Sequence, residues 1–131
     1  MKKTFQILLA DDDQDYLFQM NMKLKKMGFE VTQASSQKEA EQLLAHFKPD
    51  LCIFDLMMEQ DDSGFILCHK LKRRYPEVPV ILATAVAAET GIRFDQPEDS
   101  FGMIKADLVV DKGIRTDFLE KEIEKLLQQQ R

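Results

Sequence analysis

Apolar residues recur along this chain in two alternating rhythms. Phe5 to Ala10 is a short run without helical spacing, and after a polar cluster Leu17, Met20, Leu24 and Met27 fall on one helical face. The first segment predicts a strand and the second an amphipathic helix, with Gly28 placed as the C′ residue that ends it. Phe29 to Ala34 predicts a second strand, and Ser36-Gln37-Lys38-Glu39 has the capping-box pattern that opens another helix. Lys48-Pro49-Asp50 reads as a turn, Leu51 to Phe54 as a buried strand, and Phe65 to Tyr75 as a helix stopped by Pro76. Pro79 leads into a fourth strand, Val80 to Ala83. Between Ala85 and Ala106 the periodicity fades among Gly91, Pro97 and Gly102, and only a short helix near Ala87 to Arg93 is expected there. Leu108 to Val110 predicts a fifth strand, and Phe118, Leu119, Ile123, Leu126 and Leu127 define a last amphipathic helix with Thr116 as its N-cap.

Strands that alternate with helices and read as continuous apolar runs imply a parallel sheet covered on both faces, the doubly wound α/β class with right-handed crossovers. The chain has 131 residues, enough to bury roughly two-thirds of its unfolded surface around one core. With no internal repeat or low-complexity tract, a single domain over residues 1–131 is expected. A hydrophobic fraction of 44% beside 31% charged residues is that of a globular protein. The net charge of −5 argues against direct nucleic-acid binding, which needs a local excess of Lys and Arg. Cys52 and Cys68 lack metal-ligand spacing to His46 and His69 and are expected to pack as small apolar groups. Lys2 and Lys3 precede only the short run Ile7-Leu8-Leu9-Ala10, so neither a signal peptide nor membrane insertion is expected, and a cytoplasmic location follows.

In an open parallel sheet, ligands bind outside the carboxyl ends of the strands. Here the first strand ends in Asp11-Asp12-Asp13, the third in Asp55, the fourth in Thr84 and the fifth in Asp111-Lys112. Each residue alone has an ordinary explanation: Asp11 to Asp13 as helix caps, Asp55 as turn chemistry, Thr84 as packing, Lys112 as a solvated charge. Their joint placement on four strand ends is harder to explain that way. Carboxylates gathered from two strands repel one another unless protons or a cation offset the charge. Carboxylate oxygens with water and a backbone carbonyl suit octahedral Mg²⁺, which often sits beside a phosphate. Lys112 can neutralise a phosphoryl oxygen and Thr84 can donate to another, so the set suits phosphoryl transfer to a carboxylate.

Over essentially its whole length the sequence resembles the response-regulator receiver family, through ILLADDDQD at the first strand, LCIFDLMM at the third, VILATA at the fourth and LVVDK at the fifth. The resemblance implies a flavodoxin-like five-stranded sheet in the order 2-1-3-4-5. It also implies Asp55 as phosphoacceptor, Asp11 and Asp12 in the acidic Mg²⁺ pocket, Thr84 as the switch hydroxyl and Lys112 as the essential lysine. Mg²⁺ is then expected on Asp12, Asp55 and the backbone carbonyl of Met57, with Asp11 acting through water. A receiver is a regulatory module rather than an enzyme, though it assists its own phosphorylation and dephosphorylation. Its expected partners are a sensor histidine kinase or phosphotransfer protein and a downstream protein target.

The chain also departs from the family pattern. Gly113 follows Lys112 where a proline is common, Val109 stands where an aromatic switch residue is expected, and Glu59 replaces the proline four positions after the phosphoacceptor. Phosphorylation is therefore expected to act through the loops around Thr84 and the segment from Ala85 to Ala106, without a rotating ring. Two other classes of protein could use the same residues. An aspartyl-phosphate phosphatase wants a second carboxylate two positions after its nucleophile, where this chain has Met57. A receiver-like interaction module acting without phosphorylation would have no need of the full set of site residues.

Overall fold

The structure is a computed structural model in which residues 4–85 and 106–128 are described. Strands β1 (Gln6–Ala10), β2 (Glu30–Ala34), β3 (Leu51–Asp55), β4 (Val80–Thr84) and β5 (Leu108–Asp111) alternate with helices α1 (Gln14–Lys26), α2 (Gln37–Leu44) and α3 (Ser63–Arg74), and α4 (Thr116–Gln128) follows β5. The strands form one parallel sheet in the order β2-β1-β3-β4-β5. The helix expected near Ala87 to Arg93 lies outside the described residues.

Alternate residues of the central strands feed two separate core layers. Leu8, Phe54 and Leu82 point to one side and pack with Ala40 and Leu44 of α2 and Leu67 and Leu71 of α3. Ile7, Leu9, Ile53 and Ile81 point to the other and meet Leu17, Met20 and Leu24 of α1 and Ile123 and Leu127 of α4. Every residue of β3 and β4 is buried, which is why these strands read as unbroken apolar runs. Cys52 and Cys68 are buried in the layer of Leu8 and Phe54, in keeping with an apolar packing role.

The helix ends follow local chemistry. The Asp13 side chain accepts the Asp15 and Tyr16 N–H groups and caps α1. At its other end Gly28 takes φ of 98°, its N–H bonds the Lys25 carbonyl, and the Phe29 N–H reaches back to Leu24, a Schellman closure. Ser36 Oγ accepts the Glu39 N–H at 3.0 Å to cap α2, while the Glu39 carboxylate returns to the Ser35 N–H. Two helix starts differ from expectation. Helix α3 begins at Ser63, ahead of Phe65, because Ser63 and Gly64 are buried despite breaking the apolar period, Gly64 lying against the end of β3. Thr116 is the first helical residue of α4 rather than its N-cap, and the Arg115 carbonyl accepts the Leu119 N–H at 3.0 Å.

The strand register sets the site. Ala10 pairs with Phe54, Asp55 with Ala83 and Thr84 with Asp111. Asp11 therefore leaves the sheet beside Asp55, and Lys112 leaves it beside Thr84.

Candidate functional site

Three carboxylates, Asp11, Asp12 and Asp55, each offer an oxygen within 4.8 Å of the others at the carboxyl edge of the sheet. Asp11 and Asp55 are buried and Asp12 is exposed. Asp11 Oδ1 accepts the Asp13 N–H at 2.9 Å, which fixes the carboxylate in the turn leading into α1. Lys112 Nζ stands 2.7 Å from Asp11 Oδ2 and 3.3 Å from Asp55 Oδ1. The first contact is a close ion pair without an aligned hydrogen bond, so buried Asp11 Oδ2 keeps lone-pair capacity for a further cationic partner.

Electrostatics at this edge are strained by the gathered charge. Burial, and after it the charge of Asp11, pushes Asp55 up to about 7, against the opposing pull of Lys112. Burial alone would lower Lys112, but the Asp11 and Asp55 carboxylates outweigh it and hold the ammonium above its ordinary value. The chemistry of the donor set fits Mg²⁺. Oxygens within 4.8 Å of one another can close onto one octahedral ion, whose neighbouring ligand oxygens lie about 3 Å apart at metal distances of about 2.1 Å.

Thr84 ends β4 at 2% exposure, and its carbonyl accepts the Lys112 N–H at 3.1 Å. The turn after Lys112 is made by Asp111, whose Oδ1 accepts the Gly113 N–H at 2.7 Å and whose carbonyl accepts the Ile114 N–H at 2.9 Å. This Asx turn orders the loop at the position where the family pattern has proline. Val109 packs against the core layer of Phe54 and Leu82. Met57 lies two residues beyond Asp55 in the β3–α3 loop with its side chain exposed.

The same loop is pinned at two points. A Cβ on Gly64 would stand 2.6 Å from the Asp55 carbonyl oxygen and 2.7 Å from Leu56 Cα, so only glycine lets α3 approach the end of β3 this closely. Glu59, whose position was marked only by a missing proline, reaches back to α2, where its Oε1 accepts the Gln37 N–H at 2.6 Å and its Oε2 the Lys38 N–H at 3.1 Å. One carboxylate thus satisfies two orphan donors of a helix in another segment. Tyr16, in the first turn of α1, places its ring 4.6 Å from Lys112 Nζ. Sequence patterning marked Asp111 only as the end of the fifth strand, with no role of its own, and did not mark Tyr16. Their only signal was position, each lying within a few residues of a strand end that carries charge.

A doubly wound parallel sheet with an acidic cluster and a lysine at its carboxyl edge defines a receiver-type module. Residues 7–124 match the family model of the response regulator receiver domain, and the chain belongs to that family, in two-component signalling. It is 34% identical over 82 residues to the DNA-binding dual master transcriptional regulator RpaA of Synechocystis, covering 61% of this chain and 34% of that protein. It is 28% identical over 129 residues to the regulatory protein AtoC of Escherichia coli, covering 93% of this chain and 28% of that one. The chain thus spans about a third or less of the length of these curated relatives. Among solved structures, a CheY-like receiver domain from Methanospirillum hungatei superposes with a TM-score of 0.82 at 22% identity, covering 98% of this chain and 97% of the other. The response regulator TrrA of Thermotoga maritima, in complex with Mg²⁺ and BeF, gives a TM-score of 0.77 at 22% identity over 94% and 99% of the two chains. These likenesses agree with the sheet order. Among the described residues no helix is long and apolar enough to cross a membrane. Most of the expected output segment, residues 86–105, lies outside the described residues.

Proposed function

We propose that this chain is a single receiver domain over residues 1–131 that accepts a phosphoryl group on Asp55 from a sensor histidine kinase or phosphotransfer protein. The observation that carries this reading is the convergence of Asp11, Asp12, Asp55 and Lys112 on one sheet edge. An Asp55 oxygen forms the new P–O bond as the P–N bond of the donor breaks and its electron pair leaves on the imidazole. Asp12, Asp55 and the Met57 carbonyl would hold Mg²⁺, with Asp11 acting through water. When bound, the ion supplies positive charge beside the phosphoryl oxygens and offsets the carboxylate repulsion. Lys112 leaves its place between Asp11 and Asp55 to pair with a phosphoryl oxygen, and the Thr84 hydroxyl donates to another. Such a charge-assisted bond is worth about 1.5 to 3 kcal/mol, enough to shift balanced loop states around Ala85 at least tenfold.

Catalysis of this kind is positioning and charge stabilisation within a regulatory domain, and the same groups assist loss of the phosphoryl group. Output passes to a downstream protein, in keeping with a net charge of −5 that disfavours contact with nucleic acid. Incubation with acetyl phosphate and Mg²⁺ tests the reading by intact mass. The chain should gain one phosphoryl group, and Asp55→Asn should gain none. A variant labelled as fully as the parent would overturn the assignment.

A further inference from the structure

A lysine carries its charge on a long flexible stem, and freezing that stem at one place costs side-chain entropy. The structure holds Lys112 from both ends. The Asx turn between Asp111 and the Gly113 N–H, at 2.7 Å, fixes where the stem departs from the backbone. At the far end the ammonium lies 4.6 Å from the centre of the Tyr16 ring. Tyr16 is itself placed by the acidic turn, because Asp13 Oδ1 accepts its N–H at 3.3 Å, and its side chain packs against the core layer that contains Leu17. Burial first, then the charges of Asp11, Asp55 and Asp111, raises the Tyr16 hydroxyl far above its ordinary value, so the ring stays a neutral phenol.

We propose that Tyr16 is a positioning residue for phosphoryl transfer, its ring face seating the Lys112 ammonium beside Asp55. This rests on Asp55 being the phosphoacceptor. Lys112 is shared unequally, nearer Asp11 at 2.7 Å than Asp55 at 3.3 Å, and it must shift toward Asp55 when phosphoryl charge arrives. A hydrogen-bonding partner in place of the ring would hold the ammonium at one angle. An aromatic face attracts a cation without a fixed angle, so the ammonium can slide from one carboxylate to the other without losing the contact. The ring also excludes water from one side of the ammonium, which strengthens its pull on the oxygens.

The test uses the full chain with Tyr16→Leu and Tyr16→Phe, each checked for folding by thermal melting. In the unmutated protein the Lys112 ε-methylene protons should show an upfield ring-current shift by NMR, retained in Tyr16→Phe and lost in Tyr16→Leu. The rate of labelling by acetyl phosphate at saturating Mg²⁺ should fall about fivefold in Tyr16→Leu and stay within about twofold in Tyr16→Phe, as expected if a cation–π contact of ordinary strength is lost or kept. Unshifted Lys112 protons in the unmutated chain overturn the seat whether or not any variant folds. A Tyr16→Leu protein that labels at the parent rate, or a Tyr16→Phe protein slowed as much as Tyr16→Leu, overturns it too. A parent chain that takes no label overturns the phosphoacceptor reading and the transfer role with it, whereas normal labelling with unshifted Lys112 protons overturns the seat alone.

Discussion

Replacing Asp55 with asparagine should stabilise the metal-free protein at alkaline pH. Burial, then Asp11, pushes Asp55 from its usual 3.8 up to about 7. The folded state therefore binds the Asp55 proton more tightly than the unfolded chain does, and stability falls as pH rises from about 4 before levelling off above about 7. At about 1.4 kcal/mol per pKa unit the displacement sets a ceiling of about 4 kcal/mol. Solvent on the open side of the site and the charge shared with Asp11 and Lys112 reduce the expected effect to about 1–2 kcal/mol. For a domain of this size that is a rise in melting temperature of about 4–8 °C for Asp55→Asn at pH 8 without divalent ions. Near pH 4 the difference should shrink, because a protonated Asp55 resembles the amide in shape and charge. Adding Mg²⁺ at pH 8 should raise the parent and leave the variant nearly unchanged. Thermal melts followed by circular dichroism, at both pH values and with and without Mg²⁺, measure all of this. An Asp55→Asn protein that melts at or below the parent at pH 8 without metal would refute the strained-carboxylate account.

Asp12→Ala removes an exposed carboxylate from the cluster, so metal-free stability should hold or rise while calorimetry shows loss of Mg²⁺ binding; retained Mg²⁺-dependent labelling would count against it. Glu59→Ala strips the acceptor from the Gln37 and Lys38 N–H groups and should cost about 1 kcal/mol in urea unfolding. Although burial opposes it, those two N–H groups hold Glu59 below its ordinary 4.5, so the Glu59 contribution is present above about pH 4.5 and lost on acidification through the lowered value; a cost that persists unchanged at more acid pH would contradict this. Gly64→Ala drives a Cβ to 2.6 Å from the Asp55 carbonyl oxygen, and overpacking of about 1–3 kcal/mol with slowed labelling should follow. An alanine variant as stable and as quickly labelled as the parent would show that the loop yields freely.

The strands were legible because both faces of the sheet are covered, so β3 and β4 had to be apolar up to their last residues, and those ends stood out as the first polar side chains. Asp11, Asp55, Thr84 and Lys112 were found that way. What escaped depends on contacts between segments. The start of α3 is decided by the approach of Gly64 to Leu56, which no 3.6-residue period records. Glu59 caps a helix whose first residue lies 22 positions earlier in the chain, and it could be seen beforehand only as a departure from a family pattern. The Tyr16 ring looked like one more residue of an amphipathic helix, and its place over Lys112 exists only once β5 has paired with β4.

That pairing gives the site an uneven resistance to local opening. β3 and β4 are buried throughout, whereas β5 is the last strand of the sheet, with Leu108, Val109 and Val110 only partly buried and Asp111 exposed. Segments with fewer buried contacts open at lower free energy than the core. If β5 detaches from β4, Lys112 is withdrawn while Asp11, Asp12 and Asp55 stay gathered on strands that remain paired. The frayed form then keeps every charge that attracts a divalent ion and loses the ammonium that competes with it. By linkage an ion held by those carboxylates would bias the protein toward that open edge, and a phosphoryl group placed on Asp55, by drawing Lys112 back, would bias it toward closure.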